Sequence, residues 1–181
     1  MSTATTINSK IKIVFHKRAL FEKIHTMVNL TLKQVYESLN PKFNYDTIFR
    51  AGEGSGRSGS FFFFSHDKKF IIKTLTSEEL DLYLAILPKF ITHFKKHPRS
   101  QIAKIFGVFT LETSSNGKVH LMLMENTLQV SKGDKVKHVF DLKGSTVDRE
   151  ADVDSSTLKD VNLVKMREMS PHLTSLPNSK R

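Results

Sequence analysis

Apolar residues recur at helical spacing in two short segments near the start of the chain. Leu20, Phe21 and Ile24 do so within 17–26, and Leu32, Val35, Tyr36 and Leu39 within 31–39, where Pro41 ends the pattern. Before them, 11–15 reads as a short strand or extended entry. Further on the period shortens. The segments 45–50, 61–64 and 70–74 read as strands, and the polar run Ser65-His66-Asp67-Lys68-Lys69 between the last two is a hairpin signal. Phe61 to Phe64 do not alternate with polar residues, which suits rings covering a second surface. A long helix follows over 77–94. Leu80, Leu84, Leu87 and Ile91 mark its inner face, Ser77 is placed to cap it, and Glu78, Glu79 and Asp81 suit its dipole. Pro88 is expected to kink or divide that helix, and His97-Pro98 to end it. Strands are then expected over 102–111, 119–124 and 136–142.

The order is helices, strands, one long helix, then strands joined by short connections. That order predicts an α+β fold, an antiparallel sheet with helices packed on one face. Residues 1–10 are polar and expected to be disordered, and 166–181 to be a loose tail. The N-terminus has no signal-peptide core and no apolar run could span a bilayer, so the sequence reads as cytoplasmic.

Composition narrows the chemistry. The 181 residues contain no cysteine, which excludes disulfides and thiolate metal sites. The formal net charge of +10 favours an anionic partner, whether lipid surface, nucleic acid or phosphorylated small molecule. No stacking or groove-reading motif supports nucleic acid.

One motif invites a nucleotide reading. Gly54, Gly56 and Gly59 form a G-x-G-x-x-G. A dinucleotide fold needs a helix after the glycines, but a strand pattern follows. A P-loop needs Gly-Lys-Ser/Thr, but Ser60 and Phe61 follow Gly59. A hydrolase elbow needs a glycine where Ser60 stands. The kinase arrangement remains: a glycine-rich loop, a strand lysine (Lys73) and a helix glutamate (Glu79), in that order. A plain hairpin with a Gly/Ser linker and a strand-end lysine fits these residues equally well.

Three stretches carry a resemblance. "SGRSGSFFFFSHDKKFIIKTL" (55–75), "LMLMENTL" (121–128) and "HVFDLKGSTVDRE" (138–150) resemble the phosphatidylinositol phosphate kinases, and "TLKDVNL" (157–163) is also similar to that family. The Asp-Leu-Lys-Gly-Ser run is the most diagnostic of these. The resemblance implies a kinase N-lobe over 11–165, using ATP and a divalent metal, Mg2+. It implies that Gly56, Arg57, Ser58, Gly59 and Ser60 cover the phosphates, that Lys73 binds them, and that Glu79 pairs with Lys73. It further implies that Met124, Glu125, Asn126 and Leu128 line the adenine pocket and that Lys143 lies near the terminal phosphate. Alternation places Asp141 and Lys143 on one face of the expected strand, so Lys143 also reads as a solvated lysine paired with Asp141.

The implied activity is phosphorylation of a phosphatidylinositol phosphate, with phosphatidylinositol 4-phosphate favoured as substrate and the 4,5-bisphosphate as product. The implied place is the cytoplasmic face of the plasma membrane or of endomembranes. There each lysine near an anionic surface contributes about 1 kcal/mol. The family pattern also has a second lobe, with a catalytic aspartate in Asp-Tyr-Ser-Leu-Leu, a metal-binding aspartate and a lipid-selecting loop. Asp148, Asp152, Asp154 and Asp160 stand in other contexts, so no catalytic residue is assigned in this chain. The expected partners are the phosphoinositide lipid and either a second copy of the chain or a C-terminal lobe. A non-catalytic module that binds ATP or membrane and regulates a partner kinase is the alternative.

Overall fold

The computed structural model describes residues 2–8, 11–48, 60–115, 117–129 and 135–170. The chain divides into two compact units, Met1–Gln129 and Val130–Arg181. The first is an α+β unit around one antiparallel sheet. Its strands are β1 (Thr3–Asn8), β2 (Ile11–Phe15), β3 (Phe62–Phe64), β4 (Phe70–Leu75), β5 (Ile105–Thr113) and β6 (Gly117–Glu125). They lie in the order β1-β2-β5-β6-β4-β3. Its helices are α1 (Arg18–Met27), α2 (Leu32–Ser38), α3 (Pro41–Ile48) and α4 (Ser77–Lys96).

Register decides which side chains share a face. Val108 on β5 stands opposite Met122 on β6, Met122 opposite Lys73 on β4, and Lys73 opposite Phe62 on β3. Directly opposed residues point to the same side of a sheet. Val108 and Met122 are buried in one cluster with Phe21 of α1 and Leu80, Tyr83 and Leu87 of α4. The Phe21 and Tyr83 rings stack at 6.2 Å, which joins the two helices. A bulge between Ile105 and Gly107 turns the Phe106 carbonyl out of the ladder, and the His25 ring N–H donates to it at 2.6 Å.

Several expectations are corrected. The polar stretch Thr3–Asn8, expected to be disordered, is strand β1, because β2 offers it a full antiparallel ladder. The segment 45–50 is not a strand over its described part. Asn40 accepts the Lys42 N–H at 3.0 Å, Pro41 fits the first helical position, and α3 runs from there to Ile48. Pro88 does not divide α4, since helix runs unbroken from Ser77 to Lys96. The cap of α4 is Thr76 rather than Ser77. The segment 136–142 forms only one bridge, Phe140 to Leu158 in parallel, within its described part. Helix α5 (Asp160–Met169) occupies part of the expected loose tail.

No helix among the described residues is long and apolar enough to cross a membrane.

The core makes two opposite demands on stability. Leu87 is fully buried, so Leu87→Ala is expected to cost about 3 kcal/mol. The Tyr83 hydroxyl is the one buried side-chain polar atom among the described residues with no hydrogen-bond partner. Tyr83→Phe is therefore expected to leave stability unchanged or to raise it by about 1 kcal/mol. Urea unfolding of the two variants beside the parent chain measures both.

Candidate functional site

The β3–β4 hairpin and the first turn of α4 bring Lys73 and Glu79 together. Lys73 is the fourth residue of β4, and its ammonium donates to Glu79 Oε1 at 2.9 Å. The lysine side chain is 21% exposed and the glutamate 41%, so the pair lines a surface instead of filling the core. The Lys73 ammonium holds the Glu79 carboxyl below the usual carboxylate range, helped by the Thr76 backbone N–H. Ile71 and Lys73 alternate onto one face of β4, and Ile71 faces Met124 across the ladder. Met124 and Lys73 thus lie on one side of the sheet, separated by the Leu123–Ile72 row.

The glycine-rich segment enters this region through Ser60. Phe61 is held beside the lysine strand, its N–H donating to Thr74 Oγ1 at 2.9 Å and its carbonyl accepting from the Thr74 N–H at 3.0 Å. Gly56, Arg57, Ser58 and Gly59 lie outside the described residues.

The segment after β6 is fastened by its own side chains. Glu125 Oε2 accepts from the Lys104 backbone N–H at 3.2 Å and from its ammonium at 3.1 Å. Asn126 is buried. Its amide donates to the Lys68 carbonyl at 2.7 Å, and its oxygen accepts the Leu128 N–H at 3.2 Å. Both side chains bind within the fold. Leu128 is exposed.

Lys143 belongs to the second unit. Its ammonium meets Asp141 Oδ1 at 2.8 Å, with both side chains exposed, and this pairing holds the Asp141 carboxyl below its ordinary value. The surrounding loop is organised by Asp160, at the start of α5. One Asp160 carboxylate accepts the backbone N–H groups of Lys143 at 3.1 Å and Gly144 at 2.8 Å, together with Arg149 Nε at 2.8 Å. Arg149 also donates to the Asp141 carbonyl. Gly144 has φ +74, a conformation that favours glycine. Asn162 closes the loop by bonding both backbone groups of Ala151 at 2.9 Å.

Residue reasoning missed Thr76, Ile71, Arg149 and Asp160. Thr76-x-x-Glu79 carries a capping-box pattern, and strand alternation gives Ile71. Arg149 and Asp160 had no local signal, because loop closure alone brings them together. Among the described residues, no group of three His, Cys, Asp or Glu could hold a metal ion.

Comparison with known proteins places these features in a family. The model of the family described as phosphatidylinositol-4-phosphate 5-kinase matches residues 44–180. A Dictyostelium discoideum protein named as a "probable phosphatidylinositol phosphate kinase" is 42% identical over 124 residues, which cover 66% of this chain and 17% of the relative. A phosphatidylinositol 4-phosphate 5-kinase of Schizosaccharomyces pombe is 31% identical over 152 residues, covering 81% of this chain and 20% of the relative. Phosphatidylinositol 4-phosphate 5-kinase 7 of Arabidopsis thaliana is 38% identical over 112 residues, covering 60% and 15%. The chain thus spans a fifth or less of the length of these relatives.

Asp160 sets a pH dependence in the second unit. Hydrogen bonds from Arg149, and then from the Gly144 and Lys143 backbones, lower its pKa to about 2. A carboxyl with a depressed folded pKa contributes stability above its unfolded value, near 4, and loses it as pH falls through the folded value. The Gly144 amide resonance is expected to titrate with a midpoint near 2. Arg149→Met should move that midpoint upward, and NMR of the labelled chain over an acid titration measures it.

Proposed function

The chain belongs to the phosphatidylinositol-4-phosphate 5-kinase family, and from that premise we propose that it carries the nucleotide-binding part of an ATP-dependent phosphatidylinositol phosphate kinase. The observation that carries this reading is the 2.9 Å Lys73–Glu79 pair, set beside the point where the glycine-rich segment enters β3. In this reading 11–165 is the kinase part. Gly56, Arg57, Ser58, Gly59 and Ser60 cover the phosphates, and Lys73 and Lys143 supply cations to them. A lysine ammonium has three donors, so Lys73 keeps two for phosphate oxygens while bonded to Glu79.

The residues present fit a nucleotide. A half-buried, oriented ammonium suits a polyphosphate, and the apolar row of Ile71 and Met124 and the exposed Leu128 suit a base. Glu125 and Asn126 shape the segment that meets the base. Bound ATP supplies the transferable phosphoryl group. A magnesium ion at such a site takes most of its oxygens from phosphates and water and one or two from carboxylates, so it would enter together with ATP.

The named relatives favour phosphatidylinositol 4-phosphate as substrate and the 4,5-bisphosphate as product. A formal net charge of +10 supports a peripheral place on an anionic membrane, at the plasma membrane or an endomembrane. None of Asp148, Asp152, Asp154 and Asp160 stands in an Asp-Tyr-Ser-Leu-Leu context. Residues 1–181 alone are therefore proposed to bind nucleotide without transferring its phosphate to lipid.

Titration with a fluorescent ATP analogue tests the site. Lys73→Ala is expected to weaken binding about ten-fold and Lys143→Ala about three-fold, the range of charge-assisted contacts at partly exposed sites. Unchanged affinity in Lys73→Ala would overturn the site reading, and unchanged affinity in Lys143→Ala alone would overturn the part given to Lys143. Radiolabelled ATP with vesicles containing phosphatidylinositol 4-phosphate should yield no labelled lipid from residues 1–181, and robust product would refute that part.

A further inference from the structure

We propose that Thr76 is a positioning residue for nucleotide binding, acting through Glu79 on the ammonium of Lys73. The inference rests on the nucleotide-site reading above. Glu79 belongs to two structures at once. Its Oε1 accepts from Lys73 at 2.9 Å, and its Oε2 accepts the Thr76 backbone N–H at 2.9 Å. In return the Glu79 backbone N–H donates to Thr76 Oγ1 at 3.2 Å. This is a reciprocal capping box, with Thr76 as the N-cap of α4 and Glu79 three residues on.

A carboxylate has two oxygens a fixed distance apart. Bonding one to Thr76 fixes the direction in which the other faces. The Thr76 hydroxyl fixes the main chain at Glu79, and the Thr76 N–H fixes the carboxylate, so both coordinates of the lysine's partner come from one residue. The carboxylate could leave Lys73 only by also leaving the orphan N–H at the start of α4. The carboxylate that meets Lys73 is therefore aimed as soon as the first turn of α4 forms. Thr76 touches neither Lys73 nor the proposed ligand site, so its effect passes through Glu79.

The cap and the ion pair separate experimentally. Thr76→Val keeps the shape and the N–H but removes the hydroxyl, and Thr76→Ser keeps both groups. The full chain and these variants are titrated with ATP by displacement of a fluorescent analogue, beside Lys73→Ala. The Glu79 carboxyl carbon is followed by NMR over an acid titration. Thr76→Val is expected to weaken ATP about five-fold, the equivalent of one lost cap, and Thr76→Ser to restore it to within about two-fold. In Thr76→Val alone of the two, the Glu79 titration should move up toward the ordinary glutamate range.

If Thr76→Val binds ATP like the parent and leaves the Glu79 titration in place while Lys73→Ala binds weakly, Thr76 is a helix cap only and the inference fails. If Lys73→Ala binds as well as the parent, the nucleotide-site reading fails instead, and the Glu79 titration still reports whether Thr76 sets the pair. Should Thr76→Val not fold, Thr76→Gly removes the same hydroxyl at a position where glycine is tolerated, and carries the same expectations.

Discussion

The turn Ser65–Lys69 is the point at which the first unit is tied together. Three other segments reach it by hydrogen bonds. Asp67 accepts from Ser38 at the end of α2 at 2.7 Å and from Ser65 at 2.8 Å. Asn44 of α3 accepts the His66 N–H at 2.7 Å. After β6, Asn126 donates to the Lys68 carbonyl and Gln129 to the Asp67 carbonyl. Burial opposes charge on Asp67, but the hydrogen bonds from Ser38, Ser65 and Lys69 outweigh it and hold the carboxyl far below its usual range. Such a turn cannot slip by a residue without leaving several of these groups unpaired. That matters because a one-residue slip would turn every side chain of β4 to the other face, Lys73 included.

The same turn shows how far residue patterns could see. The hairpin, the long helix and most of the sheet were legible, because Leu80, Leu87 and Ile91 repeat at helical spacing and the apolar runs are bounded by polar turns. The helix at 41–48 was not. Asn40 and Pro41 are a start signal, but read forward from α2 the proline looked like a stop, and both readings are physically sound. Strand β1 was hidden because all its residues but Ile7 are polar or small and its ladder depends on pairing with β2. The segment 136–142 alternates like a strand, yet Asp160 and Arg149 draw its far end into a loop. Arg149 lies eight positions beyond Asp141 and Asp160 eleven beyond Arg149, so only closure of the whole loop brings the three together.

The site was legible to a different degree. Lys73 and Glu79 were found by order along the chain, and the structure brings them to 2.9 Å. Glu125 and Asn126 entered only by resemblance to the family. Their side chains bond Lys104, Lys68 and Leu128, so their contribution to the segment is its shape. Sequence order cannot distinguish a residue that meets a ligand from one that holds the backbone that meets it, since both occupy the same motif.

The two lysines assigned to the phosphates sit in contrasting settings. Lys73 is 21% exposed and its partner is fixed by a second hydrogen bond, so its ammonium is oriented before any anion arrives. Lys143 is 63% exposed and its partner Asp141 45%, and such a surface pair is screened and worth little. Breaking it to meet a phosphate costs correspondingly little. The backbone beneath Lys143 is the opposite, held by Asp160 at two consecutive N–H groups. A fixed loop thus carries an ammonium held by one exposed carboxylate, whereas the strand ammonium of Lys73 meets a carboxylate that is itself held in place.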